Sequence, residues 1–162
     1  MANIAGINAA MKYHVDRGFQ DLARGKKVSR ATDTLPQTGD KALFSVSGGR
    51  VLLLQVIGEV TTAIENQENK AKLKFNPTGA GSDTDLCAAL DIADDGVGTY
   101  YGITGKASDA LQAGVRTIAA QATPVILEDG DIELDCDASN TGSVKWDIWY
   151  IPLDEGATIT AA

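Results

Sequence analysis

The sequence predicts a mainly β protein: an antiparallel β-sandwich or barrel of about eight or nine strands, preceded by a short N-terminal helix and an extended arm. Short runs of alternating apolar and polar residues recur along the chain after residue 41, as in strands with one face on a core. Turns rich in Gly and Asp separate these runs. No long helical pattern lies between them, so an alternating β-α arrangement with a parallel sheet is not expected.

The first 25 residues have the pattern of an amphipathic helix. Apolar residues recur at spacings of three and four, while Lys12 and Asp16, and Arg17 and Asp21, form i,i+4 pairs on the other side. Gly25 suits the end of such a helix. We predict that the apolar stripe binds a partner; its residues are Ile4, Ile7, Met11, Val15 and Phe19.

The segment that follows, up to residue 41, is polar and without periodicity, which predicts an extended arm. Its basic residues Lys26, Lys27 and Arg30 are the expected electrostatic contacts with a partner. We therefore divide the chain into residues 1–41, a helix and arm for attachment or oligomerisation, and residues 42–162, the β-sandwich body.

The body begins with the clearest strand signals. The apolar run over residues 51–57 suits a buried strand, and the Gly48-Gly49 pair before it predicts a hairpin. DDGVG at 94–98 and EDG at 128–130 predict two further hairpins. The predicted strands are 42–47, 50–63, 70–76, 86–93, 99–104, 117–127, 131–138, 143–152 and 157–160.

The charge is distributed unevenly. The chain has 14 Lys and Arg against 22 Asp and Glu, a net charge of −8. By segment, residues 1–30 carry +4, residues 31–80 are neutral and residues 81–162 carry −12. An acidic body does not favour general nucleic-acid binding, which needs clustered Lys and Arg. The longest apolar run is also too short to span a membrane, so neither nucleic acid nor membrane is an expected partner.

The usual catalytic sets are missing from the sequence. His14 is the only histidine, so neither a Ser-His-Asp site nor a multi-histidine metal site can form within one chain. Cys87 and Cys136 have no CxxC spacing and lie in strand-like alternations, which predicts buried, reduced thiols. We predict a protein that is not an enzyme, with no cofactor and no catalytic residues.

One predicted strand carries four carboxylates at alternate positions, which places them on one face. Three interpretations are open: a solvated face, a face complementary to a basic surface, or a calcium site. The lysine row at 70, 72 and 74 could supply the basic surface, on a neighbouring strand or on another subunit. Calcium is disfavoured because its six to eight oxygen ligands converge from a loop, so no metal site is predicted. The carboxylates are Asp131, Glu133, Asp135 and Asp137.

The sequence KWDIWYIP near the C-terminus is apolar on both strand faces. Trp146, Ile148 and Tyr150 share one face, which we expect to fill the core. Trp149 and Ile151 share the other. Either Trp149 packs under a loop, or Trp149 and Ile151 bind another subunit.

Taken together, several runs of sequence resemble virion structural proteins of tailed bacteriophages, of the capsid decoration or cement type. The resemblance implies a β-rich, non-enzymatic protein present in many copies in the virion and bound to the major capsid protein or another virion protein. It also implies a homo-oligomer, with a trimer favoured. The runs are GGRVLLLQVIGEVTTAIENQENKAKLKFNPT (48–78), DLCAALDIADDGVGTYYGITG (85–105) and VKWDIWYIPLDEGATITAA (144–162).

Other functions remain open at this stage. A head–tail connector, neck or tail component would share the structural role but assemble into rings or tubes. A carbohydrate- or receptor-binding module would need exposed aromatic side chains at a groove, for which Trp149, Tyr100 and Tyr101 are available. A small hydrolase using carboxylates is the least favoured.

Overall fold

The computed structural model describes residues 24–162 and contains two antiparallel sheets of six strands each, which confirms the mainly β prediction. The N-terminal helix predicted from Ile4, Ile7, Met11, Val15 and Phe19 lies outside the described residues. Within those residues, no helix is long and apolar enough to cross a membrane. The strands are β1 Lys26–Thr34, β2 Gln37–Ser47, β3 Val51–Thr62, β4 Lys70–Pro77, β5 Thr84–Asp85, β6 Leu90–Asp91, β7 Thr99–Gly102, β8 Gln112–Val115, β9 Val125–Leu127, β10 Gly130–Ser139, β11 Ser143–Pro152 and β12 Thr158–Ala161.

Strands from the beginning of the described chain pair with strands from its end. Sheet A has the order β1-β11-β3-β7-β8, with β9 also paired to β3, and sheet B has the order β12-β2-β10-β4-β5, with β6 also paired to β4. In sheet A, β1 pairs with β11 and β3 with β7, while in sheet B, β2 pairs with β10 and β4 with β5 and β6. This is the order of a jelly roll, in which a long folded hairpin wraps into two facing sheets. The sheets do not close into a barrel.

One hydrophobic core lies between the two sheets. Trp146, Ile148 and Tyr150 of β11 are at most 3% exposed, so the predicted core face of this strand is confirmed. Cys87 and Cys136 are also buried and unbonded, as their alternation predicts. The largest core residues that sheet B contributes are Phe44, Leu73, Phe75 and Ile132.

The segment predicted as an arm is instead part of the sandwich. Lys26–Thr34 form β1, which pairs with β11 at the edge of sheet A, and β2 begins at Gln37, before the predicted boundary at residue 41. β1 has no clear strand pattern in the sequence, because an edge strand buries few apolar side chains. Its residues are mostly exposed, and Val28 is the one that packs against the core.

The three turns predicted to be hairpins carry the chain from one sheet to the other. Gly48-Gly49 joins β2 of sheet B to β3 of sheet A, and residues 94–98 lie between β6 and β7. The run at 128–130 connects β9 to β10, with Gly130 as the first residue of β10. A Gly- or Asp-rich turn signals that the chain reverses, but not which strand becomes the hydrogen-bonded partner. Two predicted strands are also largely irregular: only Leu90–Asp91 remains of 86–93, and only Val125–Leu127 of 117–127.

An ion cluster joins the two sheets at the β1 edge. Asp33 of β1 accepts a hydrogen bond from Nη2 of Arg30 at 2.8 Å and lies 2.7 Å from Nζ of Lys41 on β2. Arg30 also donates through Nε to the backbone carbonyl of Ala162, 3.3 Å away, just after β12. Because β2 and β12 belong to sheet B, this edge clamp of Arg30, Asp33 and Lys41 links opposite layers.

Replacing Asp33 with asparagine should destabilise the fold in a pH-dependent way. Hydrogen bonds from Lys41 and Arg30 hold the pKa of Asp33 at about 2, below its ordinary 3.8. A lowered pKa stabilises the fold fully above pH 4, and the contribution is lost as the pH falls towards 2. Urea unfolding should therefore show a deficit for Asp33→Asn at pH 7 that shrinks between pH 4 and pH 2. Exposed Glu155→Gln is the control, and a deficit independent of pH would contradict the argument.

Candidate functional site

The outer face of sheet B is ionic. The acidic row of β10 lies beside the lysine row of β4, with Glu133 opposite Lys74 and Asp135 opposite Lys72. Lys72 Nζ is 3.8 Å from the Asp135 carboxylate and 2.8 Å from that of Asp85. The structure thus confirms the interpretation in which a neighbouring strand supplies the complementary basic surface. Lys72 and Lys74 thus compensate part of the negative charge of this face within the chain.

Lys74 lies at the centre of this face, with its side chain only 9% exposed. Its Nζ donates hydrogen bonds to Asp40 and, at 2.7 Å, to Asp83, and lies 3.6 Å from Oε2 of Glu133. Burial alone would lower the pKa of Lys74, but the hydrogen bonds to Asp40 and Asp83 raise it above its ordinary value. Nearby, burial and the adjacent Asp40 raise the pKa of Asp135. The ammonium of Lys74 therefore stays charged at neutral pH.

The three carboxylates around Lys74 have the spacing of a cation site. Ligand oxygens of Asp40, Asp83 and Glu133 lie within 4.8 Å of one another. However, the Lys74 ammonium already hydrogen-bonds two of them, and a calcium ion would need six to eight oxygen ligands. We interpret this carboxylate cluster as an ion-pair network whose cation is Lys74.

The outer face of sheet A differs from that of sheet B, because one part of it is apolar, while the ion pairs Lys27–Asp147 and Lys145–Glu59 lie on the rest. Leu52 of β3 pairs in register with Ile126 of β9 and with Ile151 of β11. Its neighbours Val51 and Leu53 are fully buried, so Leu52 and its two cross-strand partners lie on the opposite, outward face. Ile126 is 62% exposed. We call Leu52, Ile126 and Ile151 the apolar triplet.

Sequence reasoning identified only Ile151 of this triplet. The apolar run over residues 51–57 indicated a buried strand, but its lack of alternation also means that both faces of β3 are apolar. In a sandwich, one of those faces points away from the core. The continuity of the run was therefore the signal for an outward apolar surface.

Next to the triplet lies an open groove with a volume of about 310 Å³. One of its few polar side chains, Gln55, is already engaged: its Oε1 accepts a hydrogen bond from the backbone N–H of Gln121 at 2.6 Å, and its Nε2 donates to the carbonyl of Val56 at 3.2 Å. The groove therefore offers a mainly apolar surface. Its lining residues are Arg24, Leu54, Gln55, Ile57, Ile118, Ala119, Ala120 and Trp149.

The structure brings together some of the predicted partner-binding residues. Lys27 lies opposite Trp149, with its Nζ 5.0 Å from the centroid of the Trp149 ring and 3.0 Å from Asp147. Lys26 is exposed at the start of the same strand. Arg30 does not join them, since it contacts Asp33 and Ala162 in the edge clamp. The predicted apolar stripe of residues 4–19 lies outside the described residues.

The two thiols are poorly suited to nucleophilic chemistry. Burial raises the pKa of Cys87 to about 11 and that of Cys136 to about 12. Cys87 Sγ also accepts a hydrogen bond from the backbone N–H of Leu73 at 3.3 Å within the core. Little reactive thiolate would form at neutral pH.

Comparisons with protein-family models, with curated proteins and with solved structures gave no significant match.

Proposed function

We propose that this chain is a non-enzymatic virion structural protein that decorates a phage capsid and stabilises it by binding at subunit boundaries. The observation that carries the proposal is the asymmetry of the sandwich. Sheet B presents a charged surface with an excess of carboxylates, whereas sheet A presents the apolar triplet and the groove beside it. Apolar surface on an otherwise acidic protein is typical of a face that is covered by another protein.

The two faces suit a particle-bound protein in different ways. The acidic surface keeps the protein soluble before assembly and faces water afterwards. The triplet of sheet A can be buried flat against another protein, at a subunit boundary or in a homo-oligomer such as a trimer. Jelly rolls occur in capsid proteins but also in lectins and cupins, so the fold alone does not define the role.

The alternatives have less support from the surface. A carbohydrate-binding groove needs several free polar groups around an aromatic ring, whereas the carboxamide of Gln55 is engaged and Lys27 lies over the ring of Trp149. A head–tail connector, neck or tail protein would use the same apolar face. Rings or tubes formed by the purified protein would favour that assignment.

The test is attachment to phage particles assembled without this protein. Ile126→Asp should weaken binding to them at least about tenfold, because burying an isoleucine contributes about 1.5–3 kcal/mol and each 1.4 kcal/mol corresponds to a factor of ten. Stability should change little, since Ile126 is 62% exposed. Binding would be measured by co-sedimentation and by electron microscopy of the particles.

Val115→Asp is the matched control. Val115 is 71% exposed and lies on β8, at the opposite edge of sheet A from β1. Binding by this variant should equal that of the wild-type chain. If wild-type protein does not attach to particles, or if Ile126→Asp attaches as well as Val115→Asp, the proposed role of this face is wrong.

A further inference from the structure

The groove of sheet A lies directly at the point where the described chain begins. Arg24, the first described residue, lines the groove together with Leu54, Ile57 and Trp149. No spacer therefore separates this apolar surface from the preceding 23 residues. The preceding segment therefore joins the described chain at the groove itself.

The backbone at Gly25 has the conformation that ends many helices. Gly25 has φ +77°, the left-handed region that glycine occupies at the residue after a helix. A Cβ added there would lie 2.9 Å from Cδ1 of Leu54 and 3.0 Å from the carbonyl oxygen of Tyr150. A side chain is thus excluded on two grounds, and Gly25 itself lies close against Leu54 and Tyr150 of sheet A.

The sequence of residues 1–23 fits such a surface. Its apolar stripe ends in Phe19 and Leu22, within about one and a half helical turns of Arg24. The opposite side carries Arg17, two residues before Phe19. As a helix the segment would be about 35 Å long, close to the roughly 40 Å length of a 12-residue strand such as β3.

We propose that residues 1–23 pack in cis as an amphipathic helix on the outer face of sheet A, with Phe19 and Leu22 filling the groove. A directly tethered segment has an effective concentration on the order of millimolar, which favours this chain's own segment over that of a second copy. The docked helix turns the oppositely charged pair of Arg17 and Asp21 away from the groove. The inference concerns the groove and not the apolar triplet, so it does not depend on the proposed function.

Disulfide trapping in the full-length chain tests the contact. Phe19→Cys combined with Ala120→Cys should form, on oxidation, a reducible cross-link that leaves the protein at the mobility of a monomer. Ala120 is exposed and lines the groove, while the native cysteines Cys87 and Cys136 are buried and should not compete. Arg17→Cys with Ala120→Cys is the matched control and should not cross-link, because residue 17 lies on the opposite side of the helix.

Each other outcome overturns the proposal. A cross-linked dimer would show that a second copy fills the groove, and equal trapping from positions 17 and 19 would show proximity without helical packing. Absence of any cross-link would show that the segment does not dock.

Fluorescence gives an independent readout without new cysteines. Phe19→Asp should red-shift the emission of Trp149 and increase its quenching by acrylamide, whereas Arg17→Asp should change neither. Trp146 is 2% exposed and supplies a constant background.

Discussion

Replacing Lys74 with methionine should lower the free energy of unfolding by about 3 kcal/mol at neutral pH. Removing one partner of a buried ion pair typically costs about 3–5 kcal/mol, because the remaining charge is left without compensation. The effect should be largest at Glu133, because its side chain is only 10% exposed and water can hydrate its charge least. Asp40 and Asp83 are 41% and 42% exposed and can be hydrated, which places the effect at the lower end of that range.

Urea unfolding of Lys74→Met and Lys72→Met would check this expectation. Lys72 lies two residues away on the same face and also contacts two carboxylates, but its side chain is 28% exposed. Its loss should therefore cost less than about 1 kcal/mol, as for surface pairs. Adding Glu133→Gln to Lys74→Met should restore part of the stability, because it removes the buried charge that was left without a partner. Equal effects of the two lysine substitutions would rule out the special position of Lys74.

Local pattern was enough to predict the faces of the long central strands. Alternation in the acidic row placed its four carboxylates on one side of β10, and opposite charge suggested the lysine row of β4 as its neighbour. The same reasoning separated Trp146 and Tyr150 from Trp149 on β11. In these cases, the two-residue repeat of a strand shows in the sequence which residues share a face. Opposite charge then indicates which strands lie side by side.

Two features could be identified only in the three-dimensional structure: which strands pair, and which residues lie at the centre of each outer face. Gly48-Gly49 predicts a reversal, yet β2 and β3 enter different sheets because each finds its apolar partners far along the chain. Lys74 becomes buried only when Asp40 of β2 and Asp83 before β5 converge on it. The apolar triplet likewise combines β3, β9 and β11. Such long-range register has no local signature.

Replacing Trp146 with alanine should destabilise the protein by about 3–5 kcal/mol, the usual cost of truncating a buried large aromatic side chain. Trp146 is 2% exposed, and its ring stacks on that of Tyr101 with centroids 6.4 Å apart. Natural domains are stable by only about 5–15 kcal/mol, so this loss could unfold a substantial fraction of the molecules. Trp149→Ala on the same strand is the control. It removes the contact with Lys27 and should cost about 1 kcal/mol.

Gly58 of β3 explains why the Trp146 site is so sensitive and allows a sharper test. A Cβ at position 58 would lie 2.7 Å from Cζ3 of Trp146, so the glycine is what lets the indole pack directly on the backbone. Gly58→Ala alone should cost about 1–3 kcal/mol through overpacking. In the double variant with Trp146→Ala, the new methyl group enters the space left by the ring. The double variant should therefore lose less stability than the two single variants lose together. Urea unfolding followed by far-UV circular dichroism measures all three variants, and strictly additive costs would show that Gly58 and Trp146 do not depend on each other.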